Sequence, residues 1–266
     1  MPEKAYKNAR FLNSASARTV RVLCEFLEPE SRFRKHRVRS TIVFFGSART
    51  VPPDTAKENL QKVRGRLRRE KTPELRQAEA RAKRAVEMAR YYADAAALAE
   101  KLTRWSMALP KAGNRFVICS GGGPGIMEAA NRGAANAGGL SIGLNISLPM
   151  EQHPNPYLTR ELSFEFHYFF MRKFWFVYLA RALVVFPGGF GTFDELFTLL
   201  TLVQTGKTSR SVPVILYGRR YWNDILDFDA MVKWGVIKPA DLDLFRFFDD
   251  VDPAFQYLTE ALAPHQ

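Results

Sequence analysis

The sequence has few cysteines and histidines and no long apolar run, and these shortages exclude several classes of protein. Only two cysteines occur, Cys24 and Cys119, and neither belongs to a CxxC motif. We therefore expect neither a disulfide framework nor a metal site. No apolar run reaches the roughly 18 residues of a membrane span, and the first residues lack the apolar segment of a secretory signal. These features predict a cytoplasmic protein with no membrane partner.

The charge is strongly one-sided, with a formal net value of +12 over 266 residues. Nucleic acid, an anionic membrane and a small phosphorylated ligand are all compatible with this excess. Much of it lies in the stretches 31–39 and 62–71, and the second stretch reads as a solvated helix surface. Because no recognition-helix or RNP-like motif is present, we expect no specific nucleic-acid partner.

Strand-like and helix-like segments alternate along most of the chain. Short apolar runs rich in β-branched or aromatic residues predict strands at 41–45, 115–120, 140–145, 162–166, 182–186 and 212–217. Helical patterns separate these runs, and only helices are predicted after the last one. The alternation predicts an α/β fold, a Rossmann-like parallel sheet with helices on both faces.

The domain organisation follows from the same pattern. Residues 1–40 are predicted to form a basic N-terminal extension with one helix, which stops before Pro29. Residues 41–266 are predicted to form a single Rossmann-like nucleotide-binding domain. This domain contains a long charged helical insertion at about 53–110, interrupted near Pro73.

Glycine-rich loops follow three of the predicted strands, namely GSAR (46–49), GGGPG (121–125) and PGGFGT (187–192). The carboxyl ends of parallel strands meet at one edge of a sheet, where ligands bind. Glycine lets the backbone approach a phosphate, and the following helix offers free N–H groups. Each loop alone could be only a tight turn, but together they predict a nucleotide-type anion site.

Two common nucleotide motifs do not fit these loops. A dinucleotide fingerprint would need its third glycine at Ile126 or Asp194, and Asn145 stands where the ribose-binding acid is expected. NAD is therefore disfavoured. The run TLVQTGKT (201–208) lacks the first glycine of a P-loop and ends a helix, for which Gly206 is the predicted C-cap.

Three charged residues near the loops have two interpretations each. Arg172 and Lys173 interrupt an aromatic stretch, either as an exposed helix stripe or as cations for a phosphate or a catalytic carboxylate. Glu195 follows Thr192 by three residues, so it is either half of a capping box or a catalytic carboxylate. Asp194 and Glu195 would repel a phosphate, which therefore needs a cation, and Arg172 is the best candidate.

The motifs GGGPGIMEAANRGA (121–134), MRK (171–173) and PGGFGTFDE (187–195) resemble those of the LONELY GUY family, whose members were long labelled lysine decarboxylase-like. Glu128 stands where shorter members often have glycine. The helical insertion and the N-terminal extension make the chain similar to the longer bacterial branch.

This resemblance implies an enzyme, a phosphoribohydrolase that cleaves the N-glycosidic bond of a nucleoside 5′-monophosphate. The substrate would be AMP or a cytokinin riboside 5′-monophosphate, and the products a free base and ribose 5-phosphate. The family's catalytic pair maps onto Arg172 and Glu195. Its substrate-binding positions map onto Gly46, Ser47, Gly122, Gly123, Lys173, Gly188, Gly189, Gly191 and Thr192. A homodimer or larger homo-oligomer is implied, and no cofactor is expected.

Three alternatives to this activity stay open. The first is a carrier on the same fold that binds a nucleotide or cofactor without turnover. The second is a nucleic-acid-binding module, which only the charge supports. The third is a PLP-dependent decarboxylase, as the old family label suggests. Lys173 is the only lysine close to the predicted site, and it would need its own pocket and a lowered pKa to form a Schiff base.

Overall fold

The computed structural model describes residues 2–110, 116–148, 153–208 and 212–263. Strands in these residues are β1 (Ser40–Phe45), β2 (Phe116–Ser120), β3 (Ser141–Ile146), β4 (Ser163–Phe166), β5 (Ala180–Val185), β6 (Val214–Tyr217) and β7 (Arg246–Phe248). The helices are α1 (Ala9–Leu12), α2 (Arg18–Lys35), α3 (Pro53–Arg69), α4 (Pro73–Ala108), α5 (Ile126–Asn136), α6 (Phe169–Tyr178), α7 (Phe190–Gln204), α8 (Arg219–Ile225), α9 (Phe228–Lys233) and α10 (Val251–Leu262).

All seven strands are parallel and pair in the order β4-β3-β2-β1-β5-β6-β7. The chain builds the sheet outward from β1 in one direction and then returns to build it in the other. The order therefore reverses beside β1, and the loops after β1, β2 and β5 lie at this switch point. The predicted Rossmann-like parallel sheet is confirmed.

Helices cover both faces of the sheet, which is why its strands read as continuous apolar runs. Side chains alternate along β1, so that Ile42 and Phe44 belong to one core and Val43 and Phe45 to the other. Helices α4, α5 and α10 pack over the first core, and α2, α6 and α7 over the second. Both faces are thus buried, and the functional loops project from the sheet's edge.

The predicted helical insertion is present as α3 and α4, which are separated just before Pro73 as expected. Only Ala56 of α3 is buried, whereas the second half of α4 buries Ala95, Leu98 and Leu102 beneath the sheet. That half of α4 is therefore a layer of the fold itself, and the charged remainder extends from it.

Three expectations about secondary structure are wrong. The N-terminal extension holds two α-helices, α1 and α2, rather than one. Helix α2 continues through Pro29 to Lys35, although proline removes one helical hydrogen bond. The carbonyl of Glu25, which loses its partner in this way, accepts a hydrogen bond from Trp175 Nε1 at 3.0 Å. Strand β7 was not predicted, because three residues are too few to show a strand pattern.

Candidate functional site

The three glycine-rich loops meet at the carboxyl edge of the sheet, as predicted. Ser47 donates its backbone N–H to the Pro187 carbonyl at 2.9 Å, and Ile126 donates its own to the Ser47 carbonyl at 3.1 Å. The loop after β1 therefore bridges the loops after β5 and β2. A side chain at position 46 would have no room, because an added Cβ would lie 2.8 Å from the side chain of Ile126. Gly46 and Ser47 thus lie between the other two loops.

The loop after β2 needs glycine at Gly122 and Gly125. Both residues have positive φ angles, +75° and +73°, which residues other than glycine rarely adopt. A Cβ at Gly122 would come within 2.5 Å of Asn145 Oδ1, and one at Gly125 within 2.3 Å of the Ser47 carbonyl. The backbone of this loop therefore lies directly against its neighbours.

A buried amide network, which sequence reasoning missed, holds the same loop. Asn155 Nδ2 donates to the carbonyls of Gly122 and Gly123 at 3.0 and 3.1 Å and to Asn131 Oδ1 at 2.9 Å. Ser120 also donates to Asn131 Oδ1, at 2.6 Å. Asn155 lies in a proline-rich loop far from these residues in sequence. The one signal for its role in holding the loop was a polar amide side chain between two prolines.

The loop after β5 leads directly into α7. Gly189 is the N-cap and Phe190 the first helical residue, so Gly191 and Thr192 lie within the first turn. The carbonyl of Gly188 accepts a hydrogen bond from the Tyr221 hydroxyl at 2.5 Å. The free N–H groups of this turn carry a partial positive charge that suits an anion.

The capping-box interpretation of Glu195 is wrong. A capping box would need Thr192 as the N-cap, but α7 begins two residues before Thr192 and its N-cap is Gly189. Glu195 is instead in the second turn, 5% exposed. Burial raises the pKa of this carboxyl to about 7, against the opposing effects of the nearby Arg172 and Lys173 charges.

Arg172 lies on α6 beside the loop after β2, and a Cβ on Gly121 would be 3.8 Å from its Nη2. Its guanidinium lies over the rings of Phe176 and Phe169, at 5.3 and 5.9 Å from their centroids. Burial lowers the pKa of Arg172, and Glu195 is the largest opposing influence. The interpretation as an exposed stripe is therefore wrong for Arg172.

The charges of Arg172 and Glu195 interact without direct contact. Among the described residues, Arg172 Nε is buried without a hydrogen-bond partner, and neither side chain takes part in a salt bridge. A buried donor without a partner is costly. The arrangement therefore leaves a hydrogen-bond donor of Arg172 to which a bound anion could be the acceptor.

Lys173 forms its ion pair with Asp194 rather than with Glu195. Its ammonium binds Asp194 at 2.5 Å and Thr198 Oγ1 at 3.2 Å, both on α7. The Asp194 charge, which would otherwise repel a phosphate, is thereby balanced. The substrate-binding role of Lys173 stays a prediction, as do the roles of the other site residues.

Neither a metal-binding cluster nor a membrane-spanning helix is present in the described residues. No group of three or more histidine, cysteine, aspartate or glutamate side chains there could hold a metal ion. None of the helices described is both long enough and apolar enough to cross a membrane.

The fold and site together define a class: a Rossmann-type α/β protein with a half-buried arginine and a buried glutamate beside glycine-rich loops at the sheet's switch point. Residues 127–258 match the family described as "possible lysine decarboxylase". The match spans just under half of the chain and includes the MRK and PGGFGTFDE motifs, which are two of the three that resemble the LONELY GUY family.

Two curated relatives bear names that include an activity. The probable cytokinin riboside 5′-monophosphate phosphoribohydrolase of Oryza sativa subsp. japonica is 34% identical over 85 residues, which are 32% of this chain and 36% of that protein. The pyrimidine/purine nucleotide 5′-monophosphate nucleosidase of Escherichia coli K12 is 36% identical over 114 residues, 38% of this chain and 24% of that protein. The chain thus spans well under half the length of either relative.

Among solved structures, the molybdenum cofactor binding protein of the phototrophic bacterium Rippkaea orientalis aligns with 84% of this chain and 98% of its own. The identity is 15% and the TM-score 0.49. Similarity at this level does not bear on function.

Proposed function

We propose that this chain hydrolyses the N-glycosidic bond of a nucleoside 5′-monophosphate, releasing a free base and ribose 5-phosphate. The observation that carries the proposal is the Glu195 carboxyl, which is buried at the mouth of a glycine-rich loop with a pKa of about 7. The two relatives named for this class of reaction support it.

The phosphate would bind at the start of α7. The backbone N–H groups of Gly189 and Gly191 lie in the cap and first turn of this helix, where anions are stabilised. Thr192, whose own N–H donates to the Gly189 carbonyl at 2.9 Å, would contribute its hydroxyl. Arg172 would supply the balancing cation, because its Nε is buried without a partner. Gly122 and Gly123, with Gly46 and Ser47, would frame the rest of the nucleotide.

Bond cleavage would take place beside Glu195. When the C1′–N bond breaks, its electron pair leaves with the base nitrogen, and positive charge develops on the ribose ring. An ionised carboxylate near C1′ stabilises that charge. Water then adds to C1′ and loses a proton, and the departing base takes up one. A carboxyl with a pKa near neutrality is suited to accept the proton from water.

The test is incubation of the protein with a panel of nucleoside monophosphates, followed by chromatography for free base. AMP and cytokinin riboside 5′-monophosphates are the first substrates to try. Release of base and ribose 5-phosphate in equal amounts is expected. A protein that binds AMP but never releases base would instead be a carrier on the same fold.

We also propose a homodimer or larger homo-oligomer. Phe190, next to the phosphate loop, is 94% exposed, and Phe169, Phe170 and Tyr178 of α6 are about half exposed. Large exposed apolar patches are commonly buried against a second subunit. The exposed aromatic residues lie on α6 and α7, the two helices that carry Arg172 and Glu195.

We expect the protein to act in the cytoplasm and without a cofactor. Both cysteines, Cys24 and Cys119, are free thiols, which suits a reducing compartment. The proposed chemistry uses only a carboxylate, a guanidinium, backbone N–H groups and water. A role in cytokinin production would follow if the isoprenoid-bearing nucleotides are the preferred substrates.

A further inference from the structure

The helix of the N-terminal extension is in contact with the helix that carries Arg172. Glu25 of α2 accepts hydrogen bonds from the backbone N–H groups of His167, at 2.7 Å, and of Tyr168, at 3.2 Å. These residues stand immediately before α6, whose N-cap is Tyr168. No side chain of α6 itself caps this end. The cap therefore comes from a residue 142 positions earlier in the chain.

The contact between Glu25 and Arg172 runs through a single residue. The carbonyl of Tyr168 accepts the backbone N–H of Arg172 at 3.2 Å, while the N–H of Tyr168 is held by Glu25. Movement of Tyr168 would therefore shift the first turn of α6, in which Arg172 lies. A carboxylate at this end also suits the helix dipole.

Two further contacts fix α2 against the same helix. The Glu25 carbonyl, which Pro29 leaves without a helical partner, accepts the indole N–H of Trp175. Phe26 packs against the rings of Phe174 and Trp175, with centroids 5.3 and 5.8 Å apart. Glu25 thus binds α6 by both its side chain and its backbone, at the start and in the second turn of the helix.

We propose that Glu25 is a positioning residue for the arginine of the site: it fixes the first turn of α6 and so sets where the Arg172 guanidinium stands relative to Glu195. The inference rests on the proposed function for its catalytic consequence. It gives the N-terminal extension a role in the active site, although no residue of the extension is predicted to touch substrate.

The test is a double-mutant cycle between Glu25 and Arg172, measured as base release from AMP. Misplacement of a group by about 1 Å can cost up to about 100-fold in rate, so Glu25→Ala should lower kcat/KM by about 10- to 100-fold. In the Arg172→Ala background, the same change should have an effect of less than about twofold, because the group that Glu25 positions is gone. Equal losses in both backgrounds would show that α2 contributes only stability.

Two variants on α2 act as controls. Glu25→Gln keeps one oxygen that can accept a backbone N–H, so it should restore part of the lost activity. Glu30→Ala removes a carboxylate of the same helix that pairs with Arg34, four residues later, and it should leave base release unchanged. Failure of glutamine to restore any activity, or a loss with Glu30→Ala equal to that with Glu25→Ala, would overturn the proposal.

Hydrogen exchange gives a readout that does not depend on turnover. In Glu25→Ala, the amides of residues 167–172 should exchange faster while those of α7 do not change, and AMP affinity should fall by about tenfold. If the wild-type protein releases no base, the proposed function fails, and exchange and AMP affinity decide the positioning role. Unchanged exchange in residues 167–172 would refute it whatever the activity.

Discussion

Replacing Glu195 with glutamine should stabilise the protein while it stops the reaction, and the stabilisation should depend on pH. The side chain is 5% exposed, and its pKa is raised from an ordinary 4.5 to about 7, mainly by burial. Glutamine has nearly the same size and never ionises. The substitution therefore removes the unfavourable burial of a charge and leaves the packing close to that of the wild type.

The size of the effect follows from proton linkage. Because the folded-state pKa is the higher one, the folded protein binds an extra proton between about pH 4.5 and 7, and its stability falls as the pH rises through this window. A shift of roughly 2.5 pH units at about 1.4 kcal/mol each corresponds to about 3 kcal/mol. Glu195→Gln should thus exceed the wild type in free energy of unfolding by about 3 kcal/mol at pH 8 and by almost nothing near pH 4.

Activity should change in the opposite direction. If the carboxylate stabilises the developing ribosyl cation, Glu195→Gln should lose about 100-fold or more in turnover, roughly 2.7 kcal/mol, and still bind AMP. Wild-type turnover should rise with pH as Glu195 ionises around pH 7.

Urea unfolding of the two proteins between pH 4 and 8, together with chromatography for adenine, measures both effects. Asp194→Asn is the matched control, because this neighbouring carboxylate is exposed and pairs with Lys173 at the surface, where ion pairs contribute little. A stability difference that does not vary with pH, or a Glu195→Gln protein that releases adenine at nearly the wild-type rate, would refute the reasoning.

Two further substitutions and one measurement test the remaining proposals. Arg172→Ala should lose both AMP affinity, measured by calorimetry, and base release, because one cation serves phosphate and carboxylate; unchanged affinity would exclude it as the phosphate ligand. Gly122→Ala should destabilise the protein by about 1–3 kcal/mol more than Gly138→Ala in urea unfolding: both glycines have positive φ, but only at Gly122 would the new methyl group meet another side chain. Sedimentation at micromolar concentration should show more than one chain per particle, and a monomer alone would contradict the proposed oligomer.

The part of the site that the sequence predicted is the part that local pattern controls. Strand, glycine loop and helix follow one another at 40–53, 116–126 and 180–192, and parallel strands bring such loops to one edge whatever the remaining chain does. The end of α7 is equally local: its C-cap is Thr205, one residue before the predicted Gly206, and Gly206 follows with the positive φ of +68° that favours glycine. These features could be read from the order of residue types alone.

The features that the sequence did not predict depend on partners distant in the chain. Helix α2 continues through Pro29, which leaves the Glu25 carbonyl without a helical hydrogen bond. The indole N–H of Trp175, 150 positions later, donates to that carbonyl instead. Lys173 pairs with Asp194, which lies on another helix and 21 positions later in the chain. The spacing of residues in the sequence gives neither the distance between two side chains nor their burial. The T-x-x-E pattern of Thr192 and Glu195 was therefore compatible with a capping box until the start of α7 was known.

The unpaired charges of Arg172 and Glu195 also indicate what kind of ligand the site fits. Burial disfavours both ionised forms, since it lowers the pKa of the arginine and raises that of the glutamate. A ligand that brings an anion to Arg172 and develops a positive charge beside Glu195 would stabilise both ionised side chains at once. A nucleoside monophosphate does this only as its glycosidic bond breaks, because the ribose carries no positive charge before then. Interactions that strengthen in the transition state are those that accelerate a reaction. A buried carboxyl and a half-buried guanidinium that form no salt bridge with each other are suited to provide such interactions.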